Sequence, residues 1–406
     1  MTSGTAAIRA QTHQPAPATQ AAGIAVARSA LHVDIVRTRA ALDLIAAQWH
    51  ELEARLDGAV LFQSCAWARA VFDFEAARGN VRFDPVIVTL RDGSRLVAVL
   101  PLERIRTRAR TVLTALGHAF SQYSDVMLAP GIQPGDAVSR LLHAAIKAAP
   151  CDAVSFLKVR GDSMLASGMP VDHMLTGTQE GAPYIALDAF PDFAGYFATI
   201  NHKTRKNMRN ARNRLERDGP VTHHVAASTQ DRLGVINRTL KGRAERLNDQ
   251  GLTSRAFGDT AFTEFCQSLA SRDDLPVLAM SLRHKGEAIA EQWGFVHNQR
   301  YYAFVASRDF SNSDESPGKL HLGEVIHVCA DQGLRGADLM VPVMPYKLTW
   351  ATETVTVRDF ALPVTRRGLL VLNVWDRLLR PAIKKLVLAM PAQWRGPLMR
   401  AAGRRL

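Results

Sequence analysis

Apolar residues recur at helical spacing from Ala41 to Leu56, at Leu42, Ile45, Trp49, Leu52 and Leu56, which predicts an amphipathic helix with one buried face. After Leu61-Phe62-Gln63-Ser64, the run from Cys65 to Phe74 reads as a second helix. The apolar period then shortens to two. Phe83 to Leu90 and Arg95 to Arg104 are β-rich runs, and the Arg91-Asp92-Gly93-Ser94 between them carries an Asp-Gly hairpin signal. Ser124 to Leu128 predicts a third short strand, Ala137 to Ala149 a helix, and Ala153 to Val159 a strand.

The second half repeats this plan. Strands are predicted at Pro276–Arg283, Ala288–Val296 and Arg300–Ser307, joined by turns at His284-Lys285-Gly286 and His297–Gln299. A helix over Gly318–Gln332 and a strand over Ala337–Val341 follow. Pro85-Val-Ile-Val-Thr-Leu-Arg with its turn Gly93 matches Pro276-Val-Leu-Ala-Met-Ser-Leu-Arg with its turn Gly286. That match predicts an α+β fold of two tandem domains related by duplication, each a mixed, mostly antiparallel sheet flanked by helices. The expected division is a disordered leader over residues 1–33, a first domain over 34–170, a second over 171–362, and a basic amphipathic tail over 363–406.

A chain of 406 residues with 47 % hydrophobic content accommodates two such cores. The four cysteines lie far apart with no C-x-x-C, which argues against structural zinc and disulfides and fits a reducing, cytoplasmic setting. No apolar run approaches the length of a spanning helix. The net charge of +12 is concentrated: His202 to Arg217 carries seven Lys/Arg against one Glu, and Val364 to Leu406 carries ten against one Asp. A protein basic only in two patches is expected to meet anions locally rather than to bind nucleic acid in general. The leader, rich in Ala, Thr, Gln and Pro with its first acid at Asp34, lacks the apolar core of a secretory signal.

Several segments carry chemistry. In Ser316-Pro317-Gly318-Lys319, Pro suits a first helical turn, Gly allows close approach to the backbone, and the helix start with Lys319 favours a phosphate. Strand alternation places Ile289, Glu291, Trp293 and Phe295 on one face and Ala290, Gln292 and Gly294 on the other. Glu291 among apolar neighbours is either an ion-paired carboxylate or a general base. Asp338 is a second candidate carboxylate, for proton transfer or to anchor Lys347 or a tyrosine hydroxyl. In Pro345-Tyr346-Lys347-x-x-Trp350, the phenol can protonate a departing thiolate and the ammonium can hold an oxyanion or an acidic acceptor. The helix over 202–217 has a narrow apolar stripe (Met208, Ala211, Leu215) and sets Arg205, Arg209 and Arg212 on one face, either solvated or in contact with an anion. In the tail, Leu369, Leu370, Leu372, Trp375, Leu378 and Leu379 interleave with Arg and Lys, as in an interfacial helix at a membrane surface or one packed on the protein.

Together these motifs resemble the GNAT-superfamily acetyltransferases of cellulose and exopolysaccharide synthesis (the CelD/BcsL type), relatives of the Fem-type aminoacyltransferases with two GNAT-like domains. The resemblance covers about residues 40 to 362. It rests on Phe62-Gln63-Ser64-x-x-Trp67, Val99-Leu100-Pro101-Leu102 and Ser124-Asp125, then on the basic helix, Ser316-Pro317-Gly318, and Asp338 with Pro345-Tyr346-Lys347-x-x-Trp350. The chain departs from the family at Val341-Pro342-Val343, where glycine usually follows the strand aspartate. The resemblance implies transfer of an acyl group from acetyl-CoA or another acyl-CoA, without a metal, to a saccharide or envelope-precursor acceptor, in the cytoplasm or at the inner membrane face. The implied sites are Ser316, Pro317, Gly318 and Lys319 for the cofactor; Glu291, Asp338, Tyr346 and Lys347 for catalysis; and Arg205, Arg209, Arg212, Gln292 and Trp350 for the acceptor. Two other readings remain: a Fem-like transferase using charged tRNA, and a non-catalytic assembly factor at the membrane surface.

Overall fold

The computed structural model describes residues 31–56, 58, 61–249, 260–308, 317–379, 382, 383 and 386. The first half runs β1 (Leu31–Val36), α1 (Arg39–Glu53), α2 (Cys65–Ala77), β2 (Pro85–Asp92), β3 (Arg95–Arg106), β4 (Thr111–Ala115), β5 (Met127–Leu128), α3 (Pro134–Ala148), β6 (Ala153–Arg160) and α4 (Met164–Gly168). The second runs β7 (Met174–Ala186), α5 (Phe193–Thr199), α6 (His202–Asp218), β8 (Val221–Val225), α7 (Thr229–Asp249), α8 (Thr260–Ser268), β9 (Val277–His284), β10 (Glu287–His297), β11 (Arg300–Arg308), α9 (Pro317–Asp331), β12 (Gly336–Asp338), α10 (Pro345–Leu348), β13 (Glu353–Pro363) and α11 (Arg366–Val371).

Local chemistry sets these elements. Thr38 caps α1 by accepting from the Ala41 N–H, and Ser64 caps α2 by accepting from the Trp67 N–H. The expected α1 stripe is buried at Leu42, Ile45, Trp49 and Leu52. Gly93 turns the β2–β3 hairpin at φ 60°, and the β9–β10 turn takes Lys285 and Gly286 through φ 53° and 85°, the positive values that a tight hairpin requires. Leu31–Val33, assigned to the leader from sequence, belong to β1, because Leu31 to Val36 pair with Asp92 to Ile87 on the open edge of β2. The strand expected over Ser124–Leu128 is only Met127–Leu128, since the Ser124 hydroxyl turns instead to the Leu157 carbonyl at 2.8 Å.

The halves share one topology. In each, an edge strand and two helices lead to three antiparallel strands, then a helix, then a strand parallel to the third: β4 with β6, β11 with β12. They fuse into one sheet ordered β1-β2-β3-β4-β6-β13-β7-β12-β11-β10-β9-β8, with β5 paired to β3. At the join the last strands are exchanged. β7, which follows the first half, pairs with β12 of the second, and β13, which ends the second, pairs with β6 of the first. The two cores also merge. Trp67 of α2 meets Phe265 and Phe295 edge-on at 5.4 and 5.7 Å, and its indole N–H donates to Ser121 Oγ at 3.0 Å. The Phe62…Trp67 motif is therefore a packing device between halves.

A buried polar clamp closes the join. Asp338, wholly buried at the end of β12, accepts from Arg160 Nη1 at 2.5 Å, the Tyr123 hydroxyl at 3.1 Å and the Met340 N–H at 2.7 Å. Removing one partner of a buried pair strands the other charge in low dielectric. Arg160→Met is expected to cost about 3–5 kcal/mol of unfolding free energy, and Tyr123→Phe about 1.5–3 kcal/mol, both read from urea melts.

Candidate active site

The parallel pairing of β11 with β12 lasts three rungs, Arg300 with Gly336, Tyr301 with Ala337 and Tyr302 with Asp338. Beyond it β11 continues to Arg308, whereas the chain after Asp338 stays on β7, the Leu339 N–H donating to the Pro183 carbonyl. The two strands thus diverge into a wedge. The strand expected over Ala337–Val341 ends early because the Asp338 carboxylate captures the Met340 N–H, and Met340 turns through φ 58° ahead of a cis Val341–Pro342 bond. Opposite Trp293 and Gly294 the β10–β11 register slips and leaves Phe304 unmatched, a bulge on the wall of the wedge.

The helix beyond β11 begins at Pro317, as a residue without an N–H favours at a first turn. Pro317 is buried, Gly318 half-buried and Lys319 exposed; Ser316 lies outside the described residues.

On the β12 side, α10 carries Tyr346 and Lys347. Lys347 Nζ donates to the Met340 carbonyl at 2.8 Å and the Pro342 carbonyl at 3.1 Å, bracing the loop rather than pairing with Asp338. Burial lowers the Lys347 pKa to about 8, against the opposing pull of Asp338. Tyr346 is 37 % exposed and interacts electrostatically with Arg243 of α7, whose own pKa is lowered by burial and then by neighbouring Arg246. Asp338, wholly buried, is occupied by Arg160, Tyr123 and the Met340 N–H and anchors the join between the halves.

On the other side of β11, α7 packs so closely that a Cβ on Gly242 would lie 2.3 Å from Ser307 Oγ. A cavity of ≈ 340 Å³ opens there, lined by Arg238, Glu245, Arg246, Asp249, Glu291 and Ser307 among others. Glu291 points toward α7, as its strand phase requires. It accepts from Arg238 Nε and Nη2 at 2.9 and 2.7 Å and from the Ser281 hydroxyl at 2.7 Å. Of the two readings open in the sequence, the ion-paired carboxylate is the one observed, at the cavity wall.

Other candidates lie elsewhere. Gln292 faces the opposite side of the sheet, buried, donating to the Tyr301 hydroxyl at 3.2 Å. Trp350 is core: it stacks near Phe197 at 6.2 Å and packs over Gly323, where a Cβ would meet it at 2.8 Å. The basic helix α6 packs Met208, Ala211 and Leu215 against Leu282, Ile289, Ala290 and Leu320. Arg212 is paired with Glu216 at 2.9 Å and Glu324 at 2.6 Å, so carboxylates of this chain supply part of the compensation for which an anionic ligand was expected. Arg209 is exposed and Arg205 half-buried. Among the described residues no group of three metal-ligating side chains occurs. Sequence reasoning missed Arg160, Tyr123, Arg238 and Arg243, whose roles arise from contacts across the sheet that no local pattern encodes.

A wedge between parallel strands, a proline-led helix beyond it and a flanking cavity define a recognisable domain. Residues 202–348 match the family described as "Acetyltransferase (GNAT) domain". No curated protein matches the chain in sequence. Among solved structures, FemX is similar over 85 % of this chain and 100 % of its own at a TM-score of 0.58 and 11 % identity. The C-terminal domain of a putative lysylphosphatidylglycerol synthetase from Agrobacterium fabrum covers 82 % and 95 % at 0.47 and 12 %. A tandem GNAT protein from the clavulanic acid pathway covers 82 % and 98 % at 0.44 and 10 %. The GNAT match spans the wedge, the cavity and α10, and the fold is α+β with two units of one topology in tandem.

The depressed Lys347 pKa gives a direct check. A lysine whose folded pKa lies below the unfolded value makes the unfolded chain bind more protons between about pH 8 and 10.5, so stability rises with pH across that window. Carbon-13 reductive methylation should reveal a lysine resonance titrating near pH 8 that is missing in Lys347→Met, and the variant should lose that part of the stability slope.

Proposed function

We propose that the protein is an acyl-CoA-dependent N- or O-acyltransferase, with acetyl-CoA as the first donor to test and a saccharide or cell-envelope precursor as acceptor. The observation that carries this reading is the wedge where β11 and β12 part after Tyr302 and Asp338, followed by a helix that opens at Pro317-Gly318. Unpaired strand edges offer amide partners to an extended donor arm, and free N–H groups at a helix start favour its pyrophosphate. Ser316, Pro317, Gly318 and Lys319 are the residues assigned to that contact.

The acceptor enters the cavity beside α7. Glu291 orients its nucleophilic N–H or O–H and takes up the proton as the new bond to the acyl carbon forms. The Lys347 ammonium holds the developing oxyanion. When the tetrahedral species collapses the C–S bond breaks, and the Tyr346 hydroxyl gives its proton to the departing thiolate. Asp338 keeps the loop that carries these groups in register. In the first half the corresponding opening between β4 and β6 is filled by the loop after β4, through the Ser124–Leu157 bond, which supports a single donor site in the second half.

Calorimetry should give a heat of binding for acetyl-CoA, and Tyr346→Phe should lower kcat by about 10²-fold. Because the oxyanion contact needs the ammonium, kcat/KM should fall as pH rises through about 8, a step that Lys347→Met lacks. Absence of heat with every acyl-CoA would leave a non-catalytic scaffold. The resemblance of the sequence motifs to Fem-type transferases leaves one second reading, an aminoacyl donor; thermal stabilisation by charged tRNA but not by acetyl-CoA would select it.

A further inference from the structure

The helical segment after β13 has two unlike sides. It runs as α11 and continues over Leu372–Leu379 wound as a π-helix. Its inner side is fixed. Gly368 sits so close to the first half that a Cβ would lie 1.8 Å from the Asp152 carbonyl oxygen. Four residues on, Leu372 is buried with Ala153, Ala361 and Met174. Four further, Asp376 is buried in an ion pair with Arg110.

The outer side carries Leu370, Val374 and Leu378 at the same spacing, 64, 41 and 66 % exposed, flanked by exposed Leu369 and Leu379 and followed by exposed Ile383 and Leu386. Exposure of so many large apolar residues in one strip signals an interaction surface. Its charge selects the partner. Asp376 is the one acid in residues 364–406, against ten Lys/Arg, and it is turned inward onto Arg110. What remains to accompany the leucine strip is cationic, including Arg366, Arg367 and Arg377 on the described segment. A protein groove would ask for matching polar groups of both signs. A leucine strip whose outward charges among the described residues of the segment are arginines matches an anionic lipid surface, where acyl chains take the leucines and headgroups take the cations.

We propose that the strip formed by Leu369, Leu370, Val374, Leu378 and Leu379, with Ile383 and Leu386 beyond it, is the docking surface for an anionic phospholipid bilayer, on which the protein lies peripherally. The sheet adds a directional consequence. β12 runs antiparallel to β7, and β7 antiparallel to β13, so Met174 and Pro363 lie toward the same end of the sheet as the opening between β11 and β12. Docking therefore places the lipid at the end of the sheet where the wedge opens. The docking itself does not depend on the acyltransfer reading.

The test is co-sedimentation of the full chain with vesicles of phosphatidylcholine alone or mixed with phosphatidylglycerol. The expected result is binding to the mixed vesicles only, weakened by salt and reduced at least about tenfold in Leu370→Glu/Leu378→Glu, with the melting temperature and acetyl-CoA heat of that variant unchanged. Binding that is absent, equal on both vesicle types, or untouched by the double substitution overturns the proposal. So does self-association without vesicles that the substitution abolishes, which assigns the strip to a second copy. A lowered melting temperature in the variant assigns it to packing within the chain and likewise overturns the proposal.

Discussion

Asp338 is a carboxylate with no access to water, and the centre of the molecule is arranged to make that tolerable. Burying a charge is costly unless it is paired and fully hydrogen-bonded. Arg160 arrives from the end of β6, Tyr123 from the loop after β4, and the Met340 amide from the chain just beyond. The third contact stops β12 at Asp338 and starts the divergence from β11. The first two lock the second half to the first. Arg160 is itself held by Asp162 through Nε and Nη2 at 2.9 and 2.8 Å and lies over the Tyr123 ring at 5.4 Å, so the clamp has little freedom to rearrange.

The divergence of the strands and the chemistry beside it are linked through the backbone that the clamp organises. The carbonyls of Met340 and Pro342, turned by the path out of β12, are the groups that Lys347 satisfies. That leaves a half-buried ammonium at the rim of the wedge, near Tyr346 and across from Arg243. On the far side of β11, Gly242 lets α7 approach Ser307, and the same helix sends Arg238 to Glu291. One strand, β11, thus separates a cationic, phenol-bearing loop from a cavity with an ion-paired carboxylate. That disposition suits a reaction whose two substrates meet from opposite sides.

The periodic parts of the fold were legible. The α1 stripe, both hairpins and their positive-φ turns, and the proline-led helix follow from spacing and turn chemistry that act over a few residues. The repeated order of elements showed in the two proline-led strands and is found again in the topology of the halves. What stayed hidden depends on contacts far apart in sequence. Nothing around Arg160 announces a partner at Asp338, and nothing around Arg238 announces Glu291. Gln292 and Trp350 read as site residues because they sit within motifs, yet they serve the core, since a motif records position and not direction. Part of the compensation for the basic helix comes from Glu324 on another element, which no local pattern reveals.

The exchange of β7 and β13 bears on why a first half with a filled opening persists. If the amino-terminal unit were deleted, β13 would lose β6 and expose a long open edge at the middle of the sheet; if the carboxy-terminal unit were deleted, β7 would lose both its neighbours. Each half therefore completes its edge of the sheet only with a strand supplied by the other.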